Sequence, residues 1–271
     1  MQKRHQDRLR YFNELANTSR EYYLDYLRPY VKITASTRVL EIGCGEGGNL
    51  LPFAQAGCQV TGIEISSQRI EQARQYFETY KTRGTFLCCD FLKAEQPQNE
   101  DGRYDVILMH DVIEHIEPPF KGEFIGRIRH FLRKDGLVFV GFPAWQMPFG
   151  GHQQISRGLV SKLPYVHLLP NPVYRMLIKI SGNGTDRVQE LMSIKRAKMT
   201  IENFEQLAND TGYHIARRTL WLINPHYKQK FHLKPRILWP WAACLKYLRN
   251  YYTTSAFYLL ETSRPSNSFG R

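Results

Sequence analysis

The sequence predicts an α/β protein with a parallel sheet covered on both faces, and three observations carry that expectation. Short, nearly continuous apolar runs, "RVLEIG" (38–43), "CQVTGIEI" (58–65), "TFLCCD" (85–90), "YDVILMHD" (104–111) and "GLVFVGFP" (136–143), alternate with helix-like segments. The first run opens into a turn with glycines at 43, 45, 47 and 48, and then a helix. Acidic residues, Glu41, Glu64 and Asp90, stand at or near the ends of the first three runs.

Residues 5–31 predict a helix, with Tyr11, Phe12, Leu15, Tyr22, Tyr23, Tyr26 and Leu27 tending toward helical spacing. The first strand is followed by "EGGNLLPFAQAG", a helix closed by Gly57. After the second strand, "SSQRIEQARQYFETY" opens with a serine cap. The polar stretch "KAEQPQNEDG" separates the third and fourth strands, and "PFKGEFIGRIRHFL" is an amphipathic helix before the fifth. The rhythm breaks over 144–199, which shows no clear strand and reads as an inserted lid or substrate region. It resumes with "TIENFEQLANDTG", a threonine-capped helix, and "YHIARRTLWLIN", a strand. A basic–aromatic insertion, 224–250, precedes the last strand, "TTSAFYLLE". The expected organisation is a helix and cofactor-binding core (1–143), the lid (144–199), and a segment completing the core (200–271).

The 271 residues, 42% hydrophobic and 23% charged, suffice for one large core. No run of about 18 apolar residues suggests a membrane span, and the basic N-terminus lacks the apolar stretch of a secretory signal. Five cysteines form no CxxC pair, which points to a reducing cytoplasm, buried unreactive thiols and no metal centre. Residues 1–144 balance 19 Lys and Arg against 19 Asp and Glu, whereas 145–271 hold 18 against 6. The net charge of +12 thus belongs to the second half, which suits an anionic partner or simply a solvated basic face.

In open α/β sheets ligands sit beyond the carboxyl ends of the strands, where the turn after the first strand lies. Gly43, Gly45 and Gly47 leave room for a ligand against the backbone, and the next helix offers free N–H groups. Glu64, about 20 residues on, is placed to accept two ribose hydroxyls. Asp90 is placed to accept from an adenine amino group, with Phe91 beside it to pack on the ring. The G-x-G-x-G spacing and Asp90 argue against a nicotinamide dehydrogenase, though such an enzyme satisfies much of the pattern.

With "VLEIGCGEGG", "VTGIEIS", "CCDF" and "YDVILMHDVIEHI" in this order, the chain resembles the class I S-adenosylmethionine-dependent methyltransferases of the small-molecule type. The resemblance covers 36–143 strongly and 200–261 more weakly. It implies a Rossmann-like three-layer sandwich, with a mostly parallel seven-stranded sheet in the order 3-2-1-4-5-7-6 ending in an antiparallel hairpin. It implies S-adenosylmethionine as cofactor and S-adenosylhomocysteine as product. Glu41 would orient the methionine amino group, and Gly43 and Gly45 would line the methionine and ribose. Glu64 would hold the ribose, Ile65 would pack on adenine, and Asp90 and Phe91 would recognise it. The backbone of Met109 and His110 would border the methionyl group.

Methyl transfer is an in-line displacement, and a proton-bearing oxygen or nitrogen acceptor is helped by a base, most often histidine. His152 in the insertion is the first candidate and His110 the second. His115, beside Glu114, reads as structural. In the lid, "WQMPFGG" offers packing groups with glycines that permit movement, and Arg157, Lys162, Arg175 and Arg187 are candidates to meet an anionic acceptor. The expected acceptor is a small or lipid- or sugar-linked molecule, with peripheral contact at the inner face of a membrane through 224–250. An RNA methyltransferase and a non-catalytic S-adenosylmethionine-binding protein are the alternatives.

Overall fold

The computed structural model describes residues 7–262, so positions 5–6 of the expected first helix and 263–271 of the last segment lie outside the described residues. Asp7 caps α1 (Arg8–Thr18), which runs through a π turn (Ser19–Tyr23) into α2 (Leu24–Leu27). The core then alternates as β1 (Arg38–Ile42), α3 (Leu51–Gln55), β2 (Gln59–Glu64), α4 (Ser67–Thr79), β3 (Thr85–Cys88), β4 (Tyr104–His110), α5 (Lys121–Ile128) and β5 (Leu132–Phe142). The insertion holds short 3-10 turns and two helices, α6 (Asn171–Ile180) and α7 (Thr185–Ala197). The chain closes with α8 (Ile201–Asp210), β6 (Tyr213–Ile223), α9 (His226–Phe231), β7 (Arg236–Ile237), α10 (Pro240–Ala243), α11 (Arg249–Tyr252) and β8 (Ser255–Thr262).

The sheet order is β3-β2-β1-β4-β5-β8-β6-β7. Setting aside β7, two residues paired to the edge of β6, the remaining seven strands follow the expected 3-2-1-4-5-7-6. The difference is one short strand inside the basic insertion, where no alternating pattern marks it. β1 to β5 are parallel, and β8 runs antiparallel between β5 and β6. β5 also starts earlier than expected, because Leu132 pairs with Tyr104 across a bulge despite the polar Arg133–Lys134–Asp135 that follows.

Successive strand residues feed opposite faces. Leu40, Ile107 and Val138 join Phe124, Ile125 and Phe204 of α5 and α8 in one cluster. Val39, Val106 and Phe139 join Phe12 of α1 and Ile70 and Phe77 of α4 in the other. Residues of the 144–199 insertion form a third cluster around Tyr174, Ile178 and Leu191. The cysteines divide unexpectedly: Cys44 and Cys58 are buried, while Cys88 and Cys244 are exposed.

α1 lies directly on the glycine turn. A Cβ at Gly48 would stand 2.7 Å from the Phe12 carbonyl oxygen and 2.9 Å from Leu15 Cβ. Ser19 Oγ donates to the Asn49 carbonyl at 2.7 Å, fixing the π turn against the same loop. Gly48→Ala is therefore expected to lift α1 and cost about 1–3 kcal/mol of stability. Urea unfolding with an unchanged slope would register it as a shifted midpoint.

Candidate active site

The end of β1 delivers Glu41 into the interior, where Asn49 Nδ2 donates to its Oε1 at 2.7 Å. Its Oε2 is buried with no hydrogen-bond partner. Burial pushes the Glu41 pKa up to about 8, Asn49 opposing and Glu64 reinforcing the rise. Past Glu41 the turn takes three left-handed glycines, Gly43, Gly45 and Gly47. A Cβ at Gly43 would meet Val112 at 2.5 Å, whereas one at Gly45 would meet no protein atom within 4 Å. Glu64, at the end of β2, folds back over this turn. Its Oε2 accepts from the Gly45 N–H at 3.1 Å and its Oε1 from the Ser66 N–H at 3.0 Å. Each oxygen keeps a further lone pair for a hydroxyl donor.

Beyond β3, Asp90 caps a 3-10 turn, its Oδ1 accepting from the Leu92 N–H at 3.0 Å. Ile65, beside Glu64, is largely exposed. Phe91 departs from expectation: its ring turns inward and packs on Phe124 and Phe131 at 5.1 Å each. An apolar side chain next to a cap residue is drawn into the core, and no local sequence signal distinguishes that from a ring facing a ligand. The Met109 side chain is also wholly buried, leaving its backbone at the strand end.

The end of β4 supplies the second half of the crevice. Asp111 holds a left-handed backbone (φ 54°), and its side chain is 47% accessible at the foot of the crevice. His110 Nδ1 lies 3.3 Å from Asp111 Oδ2. Crowding alone would raise the Asp111 pKa. The adjoining His110, within hydrogen-bonding reach, outweighs it and holds the group at about 2. The His110 ring itself is wedged between Tyr23 and Gly141: a Cβ at Gly141 would strike its Cδ2 at 2.2 Å and its Nε2 at 2.9 Å. That edge of the ring faces the sheet, while Nδ1 faces Asp111.

His152 arrives from the insertion on a left-handed residue and sets its ring edge-on to His115, centroids 4.9 Å apart. Burial lowers its pKa against the opposing pull of Asp111, so the imidazole is neutral near pH 7. His115 is lowered further, to about 4, by burial and then by His152. Between them lies Glu114, buried with both carboxylate oxygens unpartnered, 3.9 Å from each histidine Nε2. Burial, reinforced by Asp111, drives its pKa well above the usual carboxylate range. One ligand atom from each of Glu114, His115 and His152 falls within 4.8 Å of the others. Sequence spacing gives no hint of this oxygen–nitrogen trio, since two segments far apart in the chain build it.

Two further elements wall the crevice. Tyr23, fully buried in the π turn, stacks obliquely on His110 with centroids 5.3 Å apart, and its pKa is raised well above normal by burial and then by Asp111 and Glu41. α9 is tied to α1 by His226, whose Nδ1 is 3.2 Å from Thr18 Oγ1. It brings Tyr227 within electrostatic reach of Asp111, and Lys230 within that of His152. Neither Tyr23 nor α9 was legible as site-forming; the aromatic helix pattern read only as packing. The glycines of "WQMPFGG" sit in close packing: a Cβ at Gly150 would meet the Trp145 carbonyl at 2.2 Å, and one at Gly151 the His167 Cβ at 2.2 Å. Arg157 and Arg187 share a separate cleft with Asp186 and Glu190, and Lys162 and Arg175 stand exposed.

Residues 39–136 match the family model described as a methyltransferase domain. The chain carries a class I S-adenosylmethionine-dependent methyltransferase domain. The ubiquinone biosynthesis O-methyltransferase of Rhodopseudomonas palustris (strain BisA53) is 34% identical over 107 residues, 39% of this chain and 40% of that protein. The same-named enzyme of Bradyrhizobium sp. (strain ORS 278) is 31% identical over 103 residues, 38% of each chain. The chain thus spans about two fifths of the length of these curated relatives. The magnesium protoporphyrin IX methyltransferase of Synechocystis PCC 6803, solved with S-adenosylhomocysteine, shares the fold with a TM-score of 0.55 at 17% identity, over 92% of this chain and 84% of that one.

The cofactor of the methyltransferase domain is S-adenosylmethionine, and the residues present fit it. The unpartnered Glu41 Oε2 suits a cationic amino group, the space over Gly45 admits a ligand against the backbone, and Glu64 has acceptor capacity to spare. A cation beside Glu41 favours its ionised form, so cofactor affinity is expected to rise as pH increases through about 8. Because the folded pKa exceeds the ordinary value of 4.5, Glu41 contributes stability that is present below that value and lost as pH rises through about 8. Glu41→Gln keeps an oxygen for Asn49. It is expected to raise the apo-protein melting temperature at pH 8 and to weaken S-adenosylhomocysteine about 10- to 100-fold. Calorimetric titration across pH and thermal melts read both effects.

Proposed function

We propose that the chain transfers a methyl group from S-adenosylmethionine to an oxygen or nitrogen atom of a small or lipid- or sugar-linked acceptor, with His152 taking the acceptor proton. The observation that carries this reading is His152 itself. A neutral imidazole from the insertion is brought against the domain's carboxyl rim, beside an ionised Asp111. The two curated relatives named above are O-methyltransferases, and the sphingolipid C9-methyltransferase of Candida albicans, 26% identical over 117 residues (41% of this chain and 23% of that protein), bears the name of a lipid-modifying enzyme.

When bound, the cofactor supplies an electrophilic methyl carbon on a cationic sulfur. The protein's own contribution is alignment, water exclusion and proton handling. In this reading α1 and α9 pack beside the site, and the 144–199 segment covers it, carrying His152. As His152 accepts a proton, the ionised Asp111 stabilises the imidazolium, and His110 holds Asp111 in place.

Methyl-labelled S-adenosylmethionine, incubated with lipid and polar cell extracts, is expected to label a lipid-soluble product. Binding of S-adenosylhomocysteine with no transfer to either extract would favour a non-catalytic binding protein. His152→Ala is expected to lower kcat about 10²- to 10⁴-fold while leaving S-adenosylhomocysteine affinity unchanged. Since burial depresses the His152 pKa, the acid limb of kcat/KM should fall below the ordinary histidine value of 6.5.

A further inference from the structure

From Thr211 to Leu260 the chain contains no Asp or Glu and eight Lys and Arg. Within this stretch, residues 236–253 fold with their polarity reversed. Arg249 is buried and bound on three sides: Nε donates to Glu202 Oε1 at 2.9 Å, Nη2 to Glu205 Oε2 at 2.9 Å, and Nη1 to the Ala243 carbonyl at 3.3 Å. Asn250, wholly buried beside it, donates to Glu202 Oε2 at 2.6 Å and accepts from the Ile201 N–H at 2.9 Å. The Tyr247 N–H is held by Glu202 at 2.9 Å. Of the segment's apolar residues, Leu238 and Ala242 enter the main apolar core and Ala243 packs against it.

The large apolar side chains point the other way. Ile237, Trp239, Trp241, Tyr247, Leu248 and Tyr252 are each more than half exposed, Tyr247 reaching 70%. Trp239 and Trp241 stack almost parallel, 6.2 Å between centroids. Lys234, Arg236 and Lys246 are exposed among them. A mobile loop would let such groups fold in. Here the Glu202–Arg249–Asn250 network underneath holds them outward, against the usual direction of apolar burial. Indole and phenol groups interleaved with cations, and without a single acid, match the headgroup layer of an anionic bilayer, where the rings settle at the interface and the cations meet phosphate.

We infer that the surface formed by Lys234, Arg236, Trp239, Trp241, Lys246 and Tyr247 docks the protein on an anionic phospholipid bilayer. This deepens the reading of a lipid-linked acceptor and rests on it for its purpose. α9, the wall of the acceptor crevice, leads along the chain into the docking segment.

Cosedimentation with vesicles of phosphatidylcholine alone, and of phosphatidylcholine with phosphatidylglycerol, tests the inference on the full chain. Binding is expected only to the anionic vesicles, weakening with added salt. The paired change Trp239→Ser and Trp241→Ser, and separately Lys234→Glu with Lys246→Glu, should each reduce it about tenfold or more. Ile180→Ser, an exposed apolar change in the insertion, should leave it intact. Thermal melts and S-adenosylhomocysteine titration should be unchanged in every variant. Absence of binding to anionic vesicles, or equal binding by the tryptophan variant, overturns the inference. Binding of a single-stranded RNA oligonucleotide through the same residues, with no vesicle binding, overturns it in favour of a nucleic-acid surface. Retained S-adenosylhomocysteine affinity without vesicle binding sinks the docking surface alone. Lost affinity with vesicle binding intact sinks the methyltransferase reading alone.

Discussion

A carboxyl group cut off from water, with one hydrogen bond and one bare oxygen, sits where β1 meets the glycine turn. Such a group costs free energy in the empty protein, whether ionised or neutral. Much of the surrounding architecture can be understood as what maintains that arrangement. Asn49 is fixed by its backbone contact with Ser19, the π turn places Ser19, and α1 can approach closely enough only because Gly48 has no side chain. A cation in the crevice turns the penalty into attraction. The protein thus stores affinity for a positively charged donor as instability in its empty site.

Around Asp111 the electrostatics take the opposite sign. Asp111 is ionised among histidines, burial and then Asp111 push the Glu114 pKa well above the usual carboxylate range, and burial lowers the pKa values of His152 and His115. Neighbouring carboxyls pushed apart in pKa leave one fixed negative charge and one silent acid, a division that assigns different work to chemically similar groups. Two of the groups that enforce it, His152 and α9, come from regions outside the alternating core. Glu41 and Glu64 lie within the residues that match the methyltransferase domain, whereas His152 and α9 lie outside them.

This division explains what was legible in the chain. Glu41, the glycines and Glu64 could be placed from sequence because their geometry is local: a strand end, a turn, another strand end. The order of seven strands followed from the resemblance of those same motifs. Phe91 was misplaced because a ring beside a cap residue has two apolar destinations, a ligand or the core, and the competition is settled by Phe124 and Phe131 far along the chain. Tyr23, Asn49 and Tyr227 were missed for a related reason. Their roles arise where α1, the turn and α9 converge, and no spacing within any one of them encodes that meeting.

The basic second half shows why total charge is a poor guide to a surface. Several of its cations are already engaged: Arg249 and Arg218 with Glu205, Lys228 with Glu21, and Arg217 over the Tyr26 ring at 4.0 Å. These pairs draw on acids from α8 and the N-terminal helix, and they fasten the second half to the core. Subtracting them shifts attention from the count of +12 to where the remaining cations stand. Lys234, Arg236 and Lys246 are exposed in the same stretch of chain as the stacked, outward-facing indoles, a stretch that holds no carboxylate. A solvated basic face needs no aromatic groups, and a packed cap would turn them inward. The buried Glu202–Arg249–Asn250 network removes the second option, because burying the rings would require that network to give up its place.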